Sequence, residues 1–516
     1  MVDFWCLYYA NSFFCRKLWY KFNEMRQRFE QQSTIGITPI SEVKISTKSR
    51  DELPPVLMAL QYIFATPALN ESIFNLLEDK VCSGKKKTGR PGMDLWHILV
   101  LAVVRHATGT NWDKLEDWSN NHTSLRKILG VHVEKFGIEE MEFNYQTICD
   151  NVGMIDEELL QKINTLVATH GQDLLKKKDE GPFFELKTDS FVVETDVHFP
   201  TDLHLLWDSM YKGLDMVEKL QKIAPIEGWR ELKAWRKKLK SSFRNTSQAV
   251  FKGKDANKKK EAVKGYLSMA LELKERCQAI IKNPPLNAGV SKIVEFLKTY
   301  CDYAEKFCNQ IERRLIKGEV IPADEKVFSI FEPYTEWLTK GKLHKEVELG
   351  LLVMITTTQN NFIIDYKVME KQRDQAQVAP LLERIKESYP GVPIHSHSFD
   401  KGFYSKDNLT ILKKEVEVPV MPKKGKLNKE EKVREGDETF KLLRNKHSAV
   451  ESNINMLEHH GLNRCLDKGI KGFKRYVGLS ILAYNLHILG NYLKGEEKKK
   501  QHDLALQRKR YLQKAA

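Results

Sequence analysis

Three carboxylates of this sequence stand at positions that packing alone does not explain. Asp189 lies within FELKTDSFVVETDVHFPTD, where alternating apolar residues predict a strand that enters a core. Asp400 closes the β-rich run VPIHSHSFD, and Glu451 lies in ETFKLLRNKHSAVESNINMLEHHG, which predicts a long helix. A buried carboxylate costs roughly several kcal/mol unless a cation or a hydrogen-bond donor compensates it. Asp189 therefore indicates either a sheet edge or a bound cation.

The elements that must position these carboxylates follow from the hydrophobic pattern. KEVELGLLVMITTTQ and NNFIIDYKVME predict two strands joined by a hairpin at residues 359–361, and RDQAQVAPLLERIKESYPG predicts a helix. The runs VPIHSHSFD and VEVPVMP predict two more strands before the helix that contains Glu451. Without the tract that follows the first strand, the order is strand, strand, strand, helix, strand, short helix, strand, helix. This order predicts an α/β fold with a mixed sheet.

The same order is that of a ribonuclease H-like core, in which the first and fourth strands lie side by side. Asp189 and Asp400 would then leave neighbouring strands, while the last helix places Glu451 between them. Three convergent carboxylates suit Mg²⁺, which prefers oxygen ligands in octahedral geometry, and we expect Mn²⁺ to substitute. Two such ions about 4 Å apart can activate water or a 3′-hydroxyl for in-line phosphoryl transfer. We therefore expect two Mg²⁺ ions at this site.

A helical region precedes the first strand, and we expect residues 25–175 to form a helical DNA-binding domain. NWDKLEDWSNNHTSLRKILGV contains two short amphipathic segments that are compatible with a helix-turn-helix, and GKKKTGRPG is a basic lead-in to this region. The candidate DNA contacts here are Arg90, Arg126 and Lys127. A small helical bundle without a DNA-binding role explains the same pattern.

A second helical tract, residues 203–343, interrupts the predicted core after its first strand. Basic residues alternate there with aromatic residues, a pattern that suits a phosphate backbone with occasional base stacking. The candidate DNA contacts are Lys258, Lys259 and Lys260. The alternative is a charged helical hairpin whose aromatic residues form a core. The aromatic residues in question are Trp229, Trp235, Phe243, Phe251 and Tyr266.

Composition bounds the class of protein. The chain has 516 residues, enough for about three typical domains, and its 83 Lys and Arg exceed its 69 Asp and Glu to give a formal net charge of +14. This excess favours a polyanion as partner, nucleic acid before an anionic membrane, although any single basic run can be solvated helix surface. Eight cysteines without a CxxC pair predict neither a disulfide framework nor a zinc finger, and favour a reducing compartment.

The two ends of the chain each contain an apolar stretch. Residues 1–24 are aromatic but interrupted by charges, so we expect a non-native extension ahead of a start at Met25 rather than a membrane span. VGLSILAYNLHILGNYL predicts a buried core helix because polar residues such as Asn485 interrupt it, and residues 491–516 are expected to be a basic tail. We therefore expect no membrane association and a cytoplasmic, nucleoid-associated protein.

With these motifs in order, the sequence resembles the DDE transposases of bacterial insertion sequences, most closely the ISNCY-like group. The resemblance rests on TDSFVVETDVHFPTD, HSFDKGFYS and RNKHSAVESNINMLEHHGLNRCLDKG, and it covers nearly all of residues 84–490. It implies that the catalytic metal ligands are Asp189, Asp400 and Glu451. Many related transposases have a Tyr-Arg-Glu-Lys signature around the glutamate, whereas His447 and Glu458 stand at the flanking positions here. The signature's phosphate contacts are therefore unassigned here, with Arg444, Lys446 and Arg464 as candidates only.

The resemblance implies a fold, a domain order and a reaction. The core would comprise residues 183–202 and 344–490, with 203–343 as a helical insertion. The activity would be binding of terminal inverted repeats, metal-dependent cleavage of double-stranded DNA and transfer of the freed strand to target DNA by a homodimer. Two alternatives are a nuclease with the same core that lacks strand transfer, and a non-catalytic DNA-binding protein derived from a transposase.

Several neighbouring residues have ordinary explanations. Asp196 and Asp202 suit turn and capping roles better than metal binding, and His395 and His397 suit packing better than a metal pair. Tyr404 could stack on a base or simply pack. The loop MPKKGKLNKEEK lies between the last strand and the glutamate helix, so its lysines are candidate phosphate contacts. These lysines are Lys423, Lys424 and Lys426.

Overall fold

The computed structural model describes residues 28–29, 37–83, 92–133, 141–176, 183–287, 289–339 and 346–515. The expected extension 1–24, the start at Met25 and the candidate DNA contact Arg90 lie outside these residues. The chain divides into two compact units: the first unit comprises Met1–Glu194 and Leu351–Ala516, and the second unit comprises Thr195–Gly350. The second unit contains the tract 203–343 that interrupts the core elements in the sequence.

Seven α-helices precede the first strand among the described residues. Their bounds are α1 Leu53–Ala65, α2 Pro67–Val81, α3 Leu95–Ala107, α4 Trp112–Asn121, α5 Thr123–Leu129, α6 Tyr145–Val152 and α7 Glu157–Leu175. Helix α3 is buried along its whole length, as its sequence LWHILVLAVVRHA predicts. These helices share one hydrophobic core with the sheet of the first unit, so no boundary between compact units separates them from it near residue 175.

The helix-turn-helix expected after α3 does not have the required geometry at α4 and α5. Helix α4 ends at Asn121, and His122 both closes it and caps α5, through a backbone bond to Trp118 and a ring nitrogen that accepts from Leu125 N–H. A helix-turn-helix needs a connection of about three or four residues. Only His122 links α4 to α5, because the same residue caps the end of the first helix and the start of the second.

In the part of the chain that the structure describes, seven strands form one mixed sheet. Their bounds are β1 Phe184–Thr195, β2 Glu336–Leu338, β3 Glu348–Thr357, β4 Ile363–Met369, β5 Ile394–Phe399, β6 Val418–Val420 and β7 Arg464–Cys465. The order is β2, β3, β1, β5, β6, with β4 paired to β3 and β7 paired to β1. Strand β5 runs parallel to both β1 and β6, whereas β3 runs antiparallel to β2 and β4. The predicted mixed α/β class is therefore confirmed.

The hairpin predicted at residues 359–361 is also confirmed. Strands β3 and β4 pair antiparallel from Leu352 with Met369 to Thr357 with Ile363. Asn361 takes a positive φ of 65° in the connection, a conformation that asparagine tolerates better than most residues. The connection therefore has the turn chemistry that the sequence indicates.

Helices of the first unit follow the sheet strands. They are α12 Val378–Ser388, α13 Lys406–Glu415, α14 Lys429–Gly436, α15 Glu438–Lys446, α16 Ser448–Leu457 and α17 Gly469–Ala515. The single long helix expected around Glu451 is instead two helices, α15 and α16, with His447 between them. His447 N–H donates to Arg444 O, and Val450 N–H donates to His447 O. Both bonds span three residues, as in a 3₁₀ turn, so the α-helical pattern is interrupted at His447.

Helix α17 is buried where the sequence predicts a core helix. Asn485 on α17 is fully buried and uses its amide on the backbone of β4. Its Oδ1 accepts from Ile363 N–H at 2.9 Å, and its Nδ2 donates to Ile363 O at 2.8 Å and to Asn164 Oδ1 at 2.7 Å. The polar residue that interrupts this apolar helix therefore satisfies buried backbone groups. Among the described helices, none combines the length and apolar content needed to cross a bilayer.

The second unit is mainly helical. It contains α8 Asp202–Gln221, α9 Leu232–Lys252, α10 Ala256–Lys282 and α11 Ser291–Ile311. These helices have their own core, in which Leu206, Tyr266 and Phe307 are fully buried. Strand β2 pairs in this unit with the first residues of β3. The helices of this unit lie within residues 203–343 apart from the first residue of α8, as the predicted helical tract requires. Strand β2 lies in the same range and was not indicated by the sequence pattern.

Candidate active site

The register of β1 and β5 places two of the three carboxylates side by side. The strands are parallel, with Lys187 paired to Ser398 and Thr188 paired to Phe399. The next residues along the two strands are Asp189 and Asp400. Because the pairing is parallel, Asp189 within β1 and Asp400 directly after β5 occupy neighbouring positions.

Contacts on either side of this pair identify the sheet face that holds it. The side chains of Lys187 and Asp189 lie on the same face of β1, because they are two residues apart. Those of Ser398 and Asp400, at the paired positions of β5, lie on the same face of the sheet. Ser398 Oγ lies 2.9 Å from His447 Nδ1, between α15 and α16. One residue earlier in the helix pair, Lys446 Nζ lies 3.3 Å from Glu185 Oε2, two residues before Lys187. The helix pair therefore crosses the face of the sheet that carries the two aspartates.

The third carboxylate lies on the wall of a cleft that also holds Asp400. This cleft has a volume of about 420 Å³, and its lining includes Asp400, Lys401, Arg444, His447 and Glu451. Glu451 is in the first turn of α16 and is exposed to solvent. Glu458, two turns further, lies in a π-helical stretch, Glu458–Leu462, and is not part of the lining. The structure thus places Glu451 on the cleft that holds Asp400, and the strand register places Asp189 next to Asp400.

Local backbone geometry keeps Asp400 accessible. Asp400 ends β5 and precedes a 3₁₀ turn, Lys401–Phe403. A Cβ added at Gly402 would lie 3.9 Å from Asp400 Oδ2 and 3.2 Å from Asp374 Oδ2. A side chain at this position would therefore crowd the Asp374 carboxylate, whereas its contact with Asp400 would be an ordinary van der Waals contact.

A buried hydrogen-bond chain supports the strands beneath the aspartates. Thr188 Oγ1 lies 2.7 Å from both Thr356 Oγ1 and His397 Nε2, and so links β1 to β3 and to β5. Burial, reinforced by the nearby His447, lowers the pKa of His397 to about 3. His397 is therefore a neutral packed histidine, as the sequence interpretation favoured over a metal pair with His395. His395 instead faces solvent and pairs with Glu417 at 2.7 Å.

His447 is a site residue that the sequence interpretation did not select. It precedes Glu451 by four residues, so both lie on one helical side, and it lines the same cleft. Its Nε2 is buried and makes no hydrogen bond among the described residues. Burial lowers the pKa of His447 to about 4, with Asp400 opposing and Lys187 adding to the shift. The sequence did contain a signal for His447: a histidine stands four residues before Glu451, where the transposase signature has a tyrosine.

The donor set of the cleft fits hard divalent cations. Asp400 and Glu451 form no ion pair within 4 Å with a basic residue in the described parts of the chain. The three proposed ligand side chains offer only oxygen atoms, which Mg²⁺ and Mn²⁺ prefer. Asp189 Oδ1 also accepts from Ser190 N–H at 2.7 Å, which fixes the orientation of one carboxylate. The residues present therefore fit the expected group.

The candidate DNA contacts differ in accessibility. Arg126 is buried and donates to the backbone oxygens of Ser119 and His132, so it stabilises a turn and is not available to DNA; this corrects its assignment. Lys127 is half-buried. Lys423 pairs with Glu431 at 2.9 Å, whereas Lys424 and Lys426 are exposed.

Helix α4 offers little positive surface. The connection from α3 to α4 has the length of a helix-turn-helix turn, and Gly109 has a φ of 58° there. Helix α4 would be its second helix, but it carries Asp113, Glu116 and Asp117 against Lys114. Repulsion from phosphates argues against this helix in the major groove.

The second unit carries a more strongly basic surface by itself. Four exposed residues of α9 are spaced by four, three and four positions, so they lie along one side of the helix. They are Lys233, Lys237, Lys240 and Arg244. No ion pair within 4 Å involves them among the described residues. We call this set the α9 basic stripe.

Most aromatic residues of the same unit belong to its core. Trp229, Trp235 and Tyr266 are buried, and Phe243 packs against Tyr266 with ring centroids 6.3 Å apart. Phe251 is the exception, with 63% of its surface exposed. For Trp229, Trp235 and Tyr266, the alternative that these aromatic residues form a core is therefore the correct one. Lys258 and Lys260 are exposed and Lys259 is half-buried at the start of α10.

Two further residues have structural partners. Tyr404 Oη donates to Glu431 Oε1 at 3.3 Å and is half-buried, which agrees with packing rather than base stacking. Asp202 begins α8 and pairs with Arg314 at 2.8 Å. Comparison of the chain with models of known protein families, with curated proteins and with solved structures found no match.

Proposed function

We propose that this protein is a DDE-type DNA transposase with a ribonuclease H-like catalytic core. The observation that carries the proposal is the convergence of three carboxylates from distant parts of the sequence. The register of β1 and β5 sets Asp189 beside Asp400, and α16 adds Glu451 to the cleft that holds Asp400. Packing does not require these three carboxylates to approach one another, whereas bound divalent cations would use their oxygen atoms as ligands.

The strand order supports the proposed core. The row β3, β1, β5, β6, with β4 antiparallel to β3, has the first core strand at its centre and parallel strands on one side only. The helix pair α15 and α16 crosses the face of β1 and β5 that carries the aspartates. This arrangement is the one that a ribonuclease H-like core requires for its two aspartates and its helical acidic residue.

The proposed chemistry divides between the bound cations and the residues of the chain. Two Mg²⁺ ions, when bound, would supply Lewis acidity for phosphoryl transfer and lower the pKa of an attacking water. Asp189, Asp400 and Glu451 would hold them. Lys401 and Arg444 stand on the cleft lining, where their charges can orient a DNA phosphate. Neutral His447 can hold its ring against Ser398 and so fix the start of the helix that carries Glu451.

DNA affinity would come from positive surface outside the cleft. The α9 basic stripe provides exposed, unpaired charges at intervals that suit successive phosphates. The exposed Lys424 and Lys426 lie between β6 and α14 and can contribute further contacts. Each chain has one carboxylate cluster while an insertion sequence has two ends, so we propose that a homodimer acts on the paired ends.

A strand-transfer assay tests the proposal. DNA that flanks the coding sequence would be searched for inverted repeats, and labelled duplexes with these ends would be incubated with purified protein, Mg²⁺ and a target plasmid. We expect nicks at the repeat boundary and covalent joining of the 3′ end to the plasmid. Nicks without joined product would indicate a nuclease with the same core. Specific repeat binding without either product would indicate a DNA-binding protein that has lost catalysis.

A further inference from the structure

Two imidazoles and one carboxylate converge in the second unit, apart from the three carboxylates of the proposed active site. His198 lies in the segment between β1 and α8, whereas His204 and Asp208 lie in the first two turns of α8. Residues four apart on a helix share a face, so His204 and Asp208 point to the same side. One ligand atom from each of the three residues lies within 4.8 Å of the other two.

Asp208 is the least ordinary member of this cluster. It is 5% exposed, and its buried Oδ2 makes no hydrogen bond among the described residues. His198 Nε2 lies 3.2 Å from that oxygen, but the contact lacks hydrogen-bond geometry. The nearby cation Lys212 places its Nζ 3.3 Å from Asp215. A buried carboxylate oxygen without a donor is costly, and a bound cation would remove that cost.

The histidines are suited to coordinate the same cation. Their ring centroids lie 3.9 Å apart, and His204 also packs against Trp207 and Phe243. A neutral imidazole ring offers one nitrogen lone pair to a metal ion. The aromatic neighbours exclude water from one side, which strengthens electrostatic attraction to a cation.

We infer that His198, His204 and Asp208 bind one Zn²⁺ ion. Two histidines and one carboxylate are a frequent zinc ligand set, whereas Mg²⁺ disfavours imidazole. Ligand atoms around tetrahedral zinc lie about 3.3 Å apart, so side-chain rotations must close the present separations by about 1.5 Å at most. The His198 side chain is 36% exposed, which leaves the fourth position open to water. The ion would fasten the segment before α8 to the first turns of that helix.

Calorimetric titration with ZnCl₂ alone tests the site. The full chain would carry Asp189→Asn, Asp400→Asn and Glu451→Gln, so that the proposed active-site carboxylates do not contribute. We expect one Zn²⁺ per chain, with affinity reduced at least about tenfold by His204→Ala and by Asp208→Asn. Zn²⁺ should raise the Tm of the parent chain and not that of these two variants. His204→Cys replaces one zinc ligand by another and should restore binding.

Matched controls separate this site from other ligands in the second unit. Asp215→Asn removes a carboxylate two turns further along α8, and Cys277→Ser removes a buried thiol from the same unit. Both variants should bind Zn²⁺ as the parent does, and circular dichroism would verify that every variant is folded. Absence of Zn²⁺ binding by the folded parent would overturn the inference. Unchanged affinity in both His204→Ala and Asp208→Asn would also overturn it.

Discussion

Ser398 Oγ on β5 and His447 Nδ1 between α15 and α16 lie 2.9 Å apart. This contact joins the strand that ends in Asp400 to the helix that carries Glu451. Ser398 precedes Asp400 by two residues, and His447 precedes Glu451 by four. The relative position of the two carboxylates therefore depends on a side-chain hydrogen bond as well as on backbone pairing.

Replacing His447 by Ala should slow DNA cleavage by roughly 10-fold to 100-fold, because a group that positions a metal ligand is lost. Affinity for duplex ends should change little, since phosphate contacts elsewhere dominate it. Single-turnover cleavage and binding would be measured in parallel. His447→Asn keeps a group that can bond Ser398 and should recover part of the rate. Equal rates for the Ala variant and the parent would refute a positioning role.

Replacing Glu451 by Gln should abolish Mg²⁺-dependent cleavage, as should Asp189→Asn and Asp400→Asn, while each variant binds repeat DNA almost normally. Glu458→Gln is the matched control, because Glu458 lies on the same chain segment outside the cleft lining. It should retain most activity. A Glu451→Gln protein that cuts at a near-normal rate beside an inactive Glu458→Gln protein would show that the third ligand is misassigned.

Replacing Lys233, Lys237 and Lys240 by Gln should weaken DNA binding and reduce the slope of log affinity against log salt by about 2 to 3. The reason is that each neutralised phosphate releases condensed counterions. Fluorescence anisotropy over a range of salt concentrations would measure the slope. Replacing Lys258, Lys259 and Lys260 by Gln tests the other basic set of the second unit in the same way. If replacing one of these lysine sets leaves the salt slope unchanged, that set does not contact DNA phosphates and is solvated surface.

Acidification should destabilise the first unit through His397. Its pKa is lowered to about 3 in the folded chain, so the unfolded chain binds more protons between that value and pH 6.5. Stability is therefore fully present above pH 6.5 and falls as the pH decreases through this window. From pH 7.5 to pH 5, His397 should remove about 2 kcal/mol from the free energy of unfolding.

Denaturant titrations at several pH values would measure this loss. His397→Asn should flatten the dependence between pH 7.5 and pH 5, whatever its effect on stability at pH 7.5. His395→Asn is the matched control, since His395 lies two residues away on the same strand and is accessible to solvent. An unchanged pH dependence in His397→Asn would show that other groups govern acid sensitivity.

Replacing Asn485 by Leu should lower the free energy of unfolding by about 3 kcal/mol, because it leaves Ile363 N–H and the Asn164 amide buried without this partner. Urea denaturation would measure the change. Asn491→Leu, on an exposed side of the same helix, should change it by less than about 0.5 kcal/mol. Similar losses in both variants would mean that helix propensity, not the buried network, is responsible.

The sequence predicted the mixed sheet, the hairpin between β3 and β4 and the strands that carry Asp189 and Asp400. Alternation and β-branched residues report local burial, and these elements depend on it. The contact of His447 with Ser398 was not predictable, because the two residues are distant in the sequence. The burial of Arg126 was missed for another reason: its acceptors are backbone oxygens six and seven residues away, which a pattern of side-chain types does not report. The assignment of catalysis to the three carboxylates stays a prediction.

The amide of Asn485 has a consequence for how the sheet meets other proteins. Among the described strands, β4 pairs only with β3, so its other side offers backbone groups to an incoming strand. At Ile363, Asn485 occupies both the N–H and the C=O, in the way that a neighbouring strand would. A side chain from α17 thus takes the place of a further strand, and it protects the first residue of β4 against edge-to-edge aggregation.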